Sequence, residues 1–212
     1  MIIDGMAHDP KTRYPLRRMM LFLLAAVIAV GATATAVELQ VDKTQKNLVK
    51  FTSDARFESF SGTTDKIDGY VFWPGDELKP ETVPANSKLY FEVQLNGLDT
   101  GIGLRNRHMR EEYLETDKYP LARYAGKVGG VDSSGNQVYT VKTSGTLSIH
   151  GVDRPVEISG SVSPQGDHYR VQSNFEVKLT DYGIKVPSMM FLKLNETIRI
   201  VLDFNIKEAR KP

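Results

Sequence analysis

Alternation of apolar and polar residues dominates the chain. Val171, Ser173, Phe175, Val177 and Leu179 share one side of a period-two pattern, and Arg170, Gln172, Asn174, Glu176 and Lys178 share the other. Ile198, Ile200, Leu202, Phe204 and Ile206 alternate with Thr197, Arg199, Val201, Asp203 and Asn205. Leu89, Phe91, Val93 and Leu95 alternate with Tyr90, Glu92, Gln94 and Asn96. Successive side chains of a strand leave on opposite faces, so each pattern predicts a strand with one apolar and one wet face. Shorter patterns predict strands at 48–53 (Val49 and Phe51 aligned), 67–73 (Ile67, Gly69, Val71, Trp73) and 121–128 (with Tyr124). Two more are expected at 138–149 (Tyr139, Val141, Leu147, Ile149) and 154–162 (Val156, Ile158, Val162). Turn signals separate them at Pro74-Gly75, Gly129-Gly130, Ser134-Gly135-Asn136 and Pro164-Gln165-Gly166. Gly151-Val152-Asp153-Arg154-Pro155 reads as a hairpin connection.

One segment, 101–115, has helical spacing. Ile102, Met109 and Tyr113 form its apolar stripe, Thr100 is placed to cap it, and Arg107 and Glu111 make an i,i+4 pair. Tyr119-Pro120 ends it. About eight closely spaced strands with one helix predict an all-β fold, an antiparallel sandwich or barrel. An eight-stranded barrel either fills its interior with side chains or holds one small ligand, and alternation alone does not choose.

The N-terminal part follows a different pattern. Lys11, Arg13, Arg17 and Arg18 precede an unbroken apolar run from Met19 to Val30, which ends in small residues closing with Ala34-Thr35-Ala36. A basic region, a short apolar region and an A-x-A site make up a secretory signal. The run is too short for a membrane span of about 20 residues. Residues 1–36 are therefore expected to be a cleaved signal peptide and 37–212 a single exported domain, located in the periplasm. The whole chain has 212 residues, net charge +1, 41% hydrophobic and 25% charged residues, and no cysteine. Cleavage removes four basic residues (Lys11, Arg13, Arg17, Arg18) and two acidic ones (Asp4, Asp9), leaving 176 residues at net −1. That balance lacks the basic stripe of a nucleic-acid binder. Without cysteine there is no disulfide, thiolate metal site, cysteine nucleophile or lipidated anchor.

Three strings carry a family resemblance. The first is Leu98-Asp99-Thr100-Gly101, followed by Arg105-Asn106-Arg107-His108-Met109-Arg110 and Lys118-Tyr119-Pro120. The second runs from Gly145 to Val156 and contains His150-Gly151-Val152-Asp153-Arg154-Pro155. The third is Asp181-Tyr182-Gly183-Ile184. In this order they resemble the YceI-like family of exported bacterial proteins, from about Val37 to the C-terminus. One departure is Arg105-Asn106, where the family often has Arg-Asp. The resemblance implies an eight-stranded antiparallel, lipocalin-like β-barrel with an apolar interior, closed or flanked by a helix. It also implies a long apolar ligand inside: a polyisoprenoid, an isoprenoid quinone or a fatty-acyl amide.

With that implication, the inward residues Phe51, Leu89, Phe91, Val93, Val141, Ile149, Phe175, Val177, Ile200, Leu202 and Phe204 become candidate ligand contacts. Met109 and Tyr113 on the helix stripe join them, as do Met189 and Phe191 in the soft cluster Met189-Met190-Phe191 before the last strand. A solid core and a plugged barrel end are the competing readings of the same residues. Arg105, Arg107, His108 and Arg110 form a basic run that either faces a ligand head group or is simply solvated beside Glu111 and Glu112. His108, His150 and His168 have no metal-ligand spacing, and no nucleophile elbow or nucleotide-binding glycine motif is present, so no catalytic residue, metal or cofactor is expected. The expected partner is a long-chain lipid, with no nucleic acid and no stable membrane anchor; the oligomeric state is open. A solid-core stress or interaction protein and an enzyme acting on a lipidic substrate are the alternatives.

Overall fold

The computed structural model describes residues 36–54, 59–74, 86–186, 188–189, 192–193 and 195–209. The expected signal segment lies outside these except for Ala36. Strands β1 (Ala36–Val41), β2 (Leu48–Ser53), β3 (Phe60–Thr64), β4 (Ile67–Pro74) and β5 (Lys88–Gln94) come first. A 3-10 turn, Leu95–Gly97, leads to helix α1 (Gly103–His108), which runs on as a π turn, Met109–Tyr113. Then follow β6 (Leu121–Ser133), β7 (Tyr139–Ile149), β8 (Val152–Gln165), β9 (His168–Lys178) and a second 3-10 turn, Leu179–Tyr182. The two-residue strands β10 (Ser188–Met189) and β11 (Leu192–Lys193) precede the long last strand β12 (Thr197–Glu208).

All pairings are antiparallel, and the ring β1-β4-β5-β6-β7-β8-β9-β12 closes where β12 returns to β1. The result is an eight-stranded barrel, the lipocalin-like arrangement the family strings imply. The seam is a partner exchange. β12 pairs with β9 along its length, but on its other side it pairs first with β2 (Ile198 opposite Ser53, Asp203 opposite Leu48) and then with β1 (Ile206 opposite Val41). Together β1 and β2 form one bent wall, and β3 and β4 form the next. The loop between β1 and β2 folds onto β12 at the bend. Asp42 N–H donates to Asn205 O (2.8 Å), and Asn205 N–H donates to Asn47 Oδ1 (3.0 Å). Asn47 Nδ2 donates to Asp42 O (3.0 Å), and Asp42 Oδ1 accepts from Thr44 N–H, Thr44 Oγ1 and Lys207 Nζ. Burial pushes the Asp42 carboxyl up, but these hydrogen bonds and the Lys207 charge outweigh it and bring it down from 3.8 to about 2.

The strand faces follow the alternation, and several boundaries move. β1 and β3 add strands that the alternation did not mark out. β6 runs through Gly129-Gly130 rather than turning there, because the register slips by one residue between Val128 and Gly130 and pairing with β7 resumes. The β7–β8 turn is His150-Gly151, both at positive φ (54° and 76°), as a two-residue hairpin turn requires. Val152 to Pro155 already belong to β8, with Pro155 opposite Thr146. The helix is shorter than 101–115. Its N-cap is Ile102, which makes no side-chain cap bond. Thr100 does not cap it: its N–H and its hydroxyl both donate to Asn106 Oδ1 (2.8 and 2.7 Å). The i,i+4 contact joins His108 and Glu112 (3.9 Å) rather than Arg107 and Glu111.

Candidate functional site

The inward faces of the barrel enclose a hollow of about 1010 Å³. Val141, Ile149, Phe175, Ile200 and Leu202 point inward yet are only half-buried, because the surface they keep faces this hollow. In a solid core they would be fully covered. At about 30 Å³ per water, the space corresponds to on the order of thirty water molecules. The solid-core reading is therefore set aside.

The hollow collects most of the residues singled out by alternation. β2 contributes Phe51, β5 contributes Leu89, Phe91 and Val93, and β7 contributes Val141 and Ile149. β9 contributes Phe175 and Val177, and β12 contributes Ile200, Leu202 and Phe204. Met109 and Tyr113 line it from the π turn. Met189 stands opposite Leu192 in the short ribbon β10–β11, and Phe191 lies outside the described residues. Alternation also placed Val71, Trp73, Leu147, Ile158 and Ile198 on inward faces without nominating them as contacts, and they line the wall too. Tyr124, Thr143 and Ser173, which were not nominated as contacts, also line the hollow.

Trp73, Leu89 and Val128 are well-buried lining residues toward the end of the barrel remote from α1, with Val131 behind them at 1% exposure. At the α1 end the wall includes Ile102 and Leu104, which are 50% and 56% exposed, together with Phe60, Arg105, His108 and the exposed Lys185. Exposed apolar residues lining a hollow mark its mouth. The mouth is therefore beside α1.

The basic run does not form one face aimed at that mouth. Arg105 donates from Nε to Thr100 Oγ1 (3.0 Å) and from a terminal nitrogen to Thr100 O (3.1 Å), and its guanidinium lies 4.6 Å over the Phe60 ring. Arg110 donates to Leu98 O (2.9 Å). These two cations hold their own segment in shape. Asn106, the departure from the family pattern, accepts from Thr100 and donates from Nδ2 to Asp99 Oδ1 (2.6 Å), a donation that an ionised carboxylate at 106 could not make. The Gly101 N–H and the Asn106 amide hold the Asp99 carboxyl below its usual value. Asp99 is joined to the barrel by paired backbone bonds with Thr63.

A family model described as "YceI-like domain" matches residues 38–206. The chain belongs to the YceI-like family. A UPF0312 protein of Pseudomonas syringae pv. syringae (strain B728a) is 30% identical over 176 residues, covering 79% of this chain and 86% of the relative. Protein YceI of Salmonella newport (strain SL254) is 26% identical over 172 residues, covering 77% and 84%. Among solved structures, Burkholderia cenocepacia BcnA superposes with a TM-score of 0.62 at 16% identity, over 78% of this chain and 98% of that one. A structure described as a polyisoprenoid binding domain from Saccharophagus degradans also superposes at 0.62, with 18% identity, over 82% and 99%. These structural likenesses concern the fold.

In this YceI-like barrel the family strings hold the mouth together. His150, in the β7–β8 turn, places Nε2 3.3 Å from Glu115 Oε1, its Nδ1 3.3 Å from Tyr182 O, and its ring 4.6 Å from that of Tyr119. One residue from the second string thus joins the end of the helical segment to the Asp181-Tyr182 turn. Of the hydroxyls lining the hollow, those of Thr143 and Ser173 donate to backbone carbonyls and that of Tyr124 bonds to Thr143.

Proposed function

We propose that this chain is an exported, periplasmic carrier that holds one long apolar lipid inside its barrel: a polyisoprenoid, an isoprenoid quinone or a fatty-acyl amide. The observation that carries the reading is the hollow of about 1010 Å³, walled by aliphatic and aromatic side chains and opening beside α1. Burying a hydrocarbon chain contributes about 0.8 kcal/mol per methylene. Ten methylenes supply about 8 kcal/mol before ordering costs, with no polar machinery needed. The polyisoprenoid binding described for the Saccharophagus degradans structure supports the ligand class, and the signal-like N-terminus supports export. The protein sequesters or transports its ligand rather than transforming it.

The test is extraction of purified protein comprising residues 37–212 with organic solvent, followed by mass spectrometry. A stoichiometric long-chain lipid is expected. A lipid-free protein that also takes up neither an isoprenoid nor a fatty-acyl probe would sink the proposal.

A further inference from the structure

The apolar wall is interrupted on one side by hydroxyl groups from three strands, and their protons are already committed. Thr143 Oγ1 on β7 donates to Ile158 O on β8 (2.8 Å), since a carbonyl can only accept. Tyr124 Oη on β6 lies 2.9 Å from that same Thr143 Oγ1, so with the threonine proton engaged it is the phenol that donates. Ser173 Oγ on β9 donates to Ser159 O (2.7 Å). Tyr124, Thr143 and Ser173 all line the hollow. Gly160 stands opposite Ser173 and two residues beyond Ile158, the partner of Thr143, so β8 carries no side chain directly beside Ser173, while the Ile158 side chain lies beside Thr143. Burial holds the Tyr124 phenol neutral by raising its proton affinity.

Three hydroxyls that donate into their own wall present only lone pairs to the interior. Such a row accepts hydrogen bonds and offers none. We propose that the Tyr124–Thr143–Ser173 row recognises a hydrogen-bond donor on the ligand, a hydroxyl or an amide N–H, inside the barrel. This rests on the reading that a long apolar lipid fills the hollow, and it narrows the class. Chains that bring a donor to this row are favoured over pure hydrocarbons and over head groups that only accept. A donor-free chain also strips the row of water without replacing it, which works against binding.

The test compares two probes of nearly equal shape, hexadecan-1-ol and 1-fluorohexadecane, delivered to the purified protein from methyl-β-cyclodextrin. Fluorine replaces the hydroxyl without a proton to donate. Binding is followed by the emission of Trp73, the single tryptophan, which lines the hollow. The readout is the alcohol-to-fluoride affinity ratio in the native protein and in Tyr124→Phe/Thr143→Val and Ser173→Ala. The ratio is expected to fall about tenfold in the double variant, equivalent to about 1.4 kcal/mol. Fluoride affinity should stay level or rise, which also shows that the variant barrel is intact. An unchanged ratio in both variants overturns the donor site while leaving the lipid reading in place. Failure of the native protein to bind either probe, with no lipid on extraction, overturns both.

Discussion

Replacing Asp42 by asparagine keeps the shape of the seam and removes one charge. Asp42 is 3% exposed and accepts from Thr44 N–H (3.0 Å), Thr44 Oγ1 (2.7 Å) and Lys207 Nζ (2.8 Å), where β12 passes from β2 to β1. Its pKa falls from 3.8 to about 2, and at about 1.36 kcal/mol per unit the ionised form contributes at most about 2.4 kcal/mol to folding. The Lys207 side chain is 39% exposed, so water screens part of that interaction. The expected loss in Asp42→Asn is about 1–2 kcal/mol at neutral pH, or roughly 2–8 °C in Tm for a domain of this size. A depressed carboxylate contributes stability that is fully present above its unfolded pKa and is lost as pH falls through its folded one. The gap between native protein and variant should therefore stay constant from about pH 8 to 5, shrink below about pH 4, and close near pH 2. Urea unfolding at pH 7, 4 and 2.5 measures it. Equal stability at pH 7, or a gap of the same size at pH 2.5, would refute the reasoning.

Other expected outcomes follow from local geometry. A Cβ on Gly145 would lie 2.4 Å from Ala125 O and 2.7 Å from Gly126 Cα, so Gly145→Val should cost about 1–3 kcal/mol in urea unfolding. A Cβ on Gly103, the first residue of α1, would meet nothing within 4 Å, so Gly103→Ala should be neutral or gain up to about 1 kcal/mol; a loss comparable to that of Gly145→Val would contradict the geometry. Asn106→Ala removes the bonds to Thr100 and Asp99 that shape the mouth segment. It should loosen that segment by about 1–2 kcal/mol and speed release of a bound probe, read as lower amide-exchange protection at 100–110 and a faster off-rate with the global urea midpoint little changed.

The strand faces were legible because a pleated strand forces a period of two. Val171, Phe175 and Val177, or Ile200, Leu202 and Phe204, have nowhere to go but one side. That side lines the hollow, and even the weak pattern of 67–73 put Val71 and Trp73 correctly. Local chemistry misled where tertiary pairing overrode it. Gly129-Gly130 reads as a turn, but β7 continues past it and holds it as a bulge. Thr100 reads as a cap, but Asn106 captures it. β3, with its Ser-Gly-Thr-Thr run, became a strand because β2 lies beside it rather than by its own propensity.

Alternation determined which residues face inward. It could not determine whether they meet. The same inward list describes a filled barrel and a hollow one, because filling depends on how widely eight strands close and where β12 changes partners. Closure also decided the polar character of the interior. Thr143 and Ser173 are inward by count, but the direction of their protons is set by the carbonyls of Ile158 and Ser159 on β8. The sequence by itself determined the barrel's faces and family. Only the folded wall, by placing one strand's hydroxyls against its neighbour's carbonyls around an unfilled centre, decided that there is room for a ligand and which hydrogen bonds that room can accept.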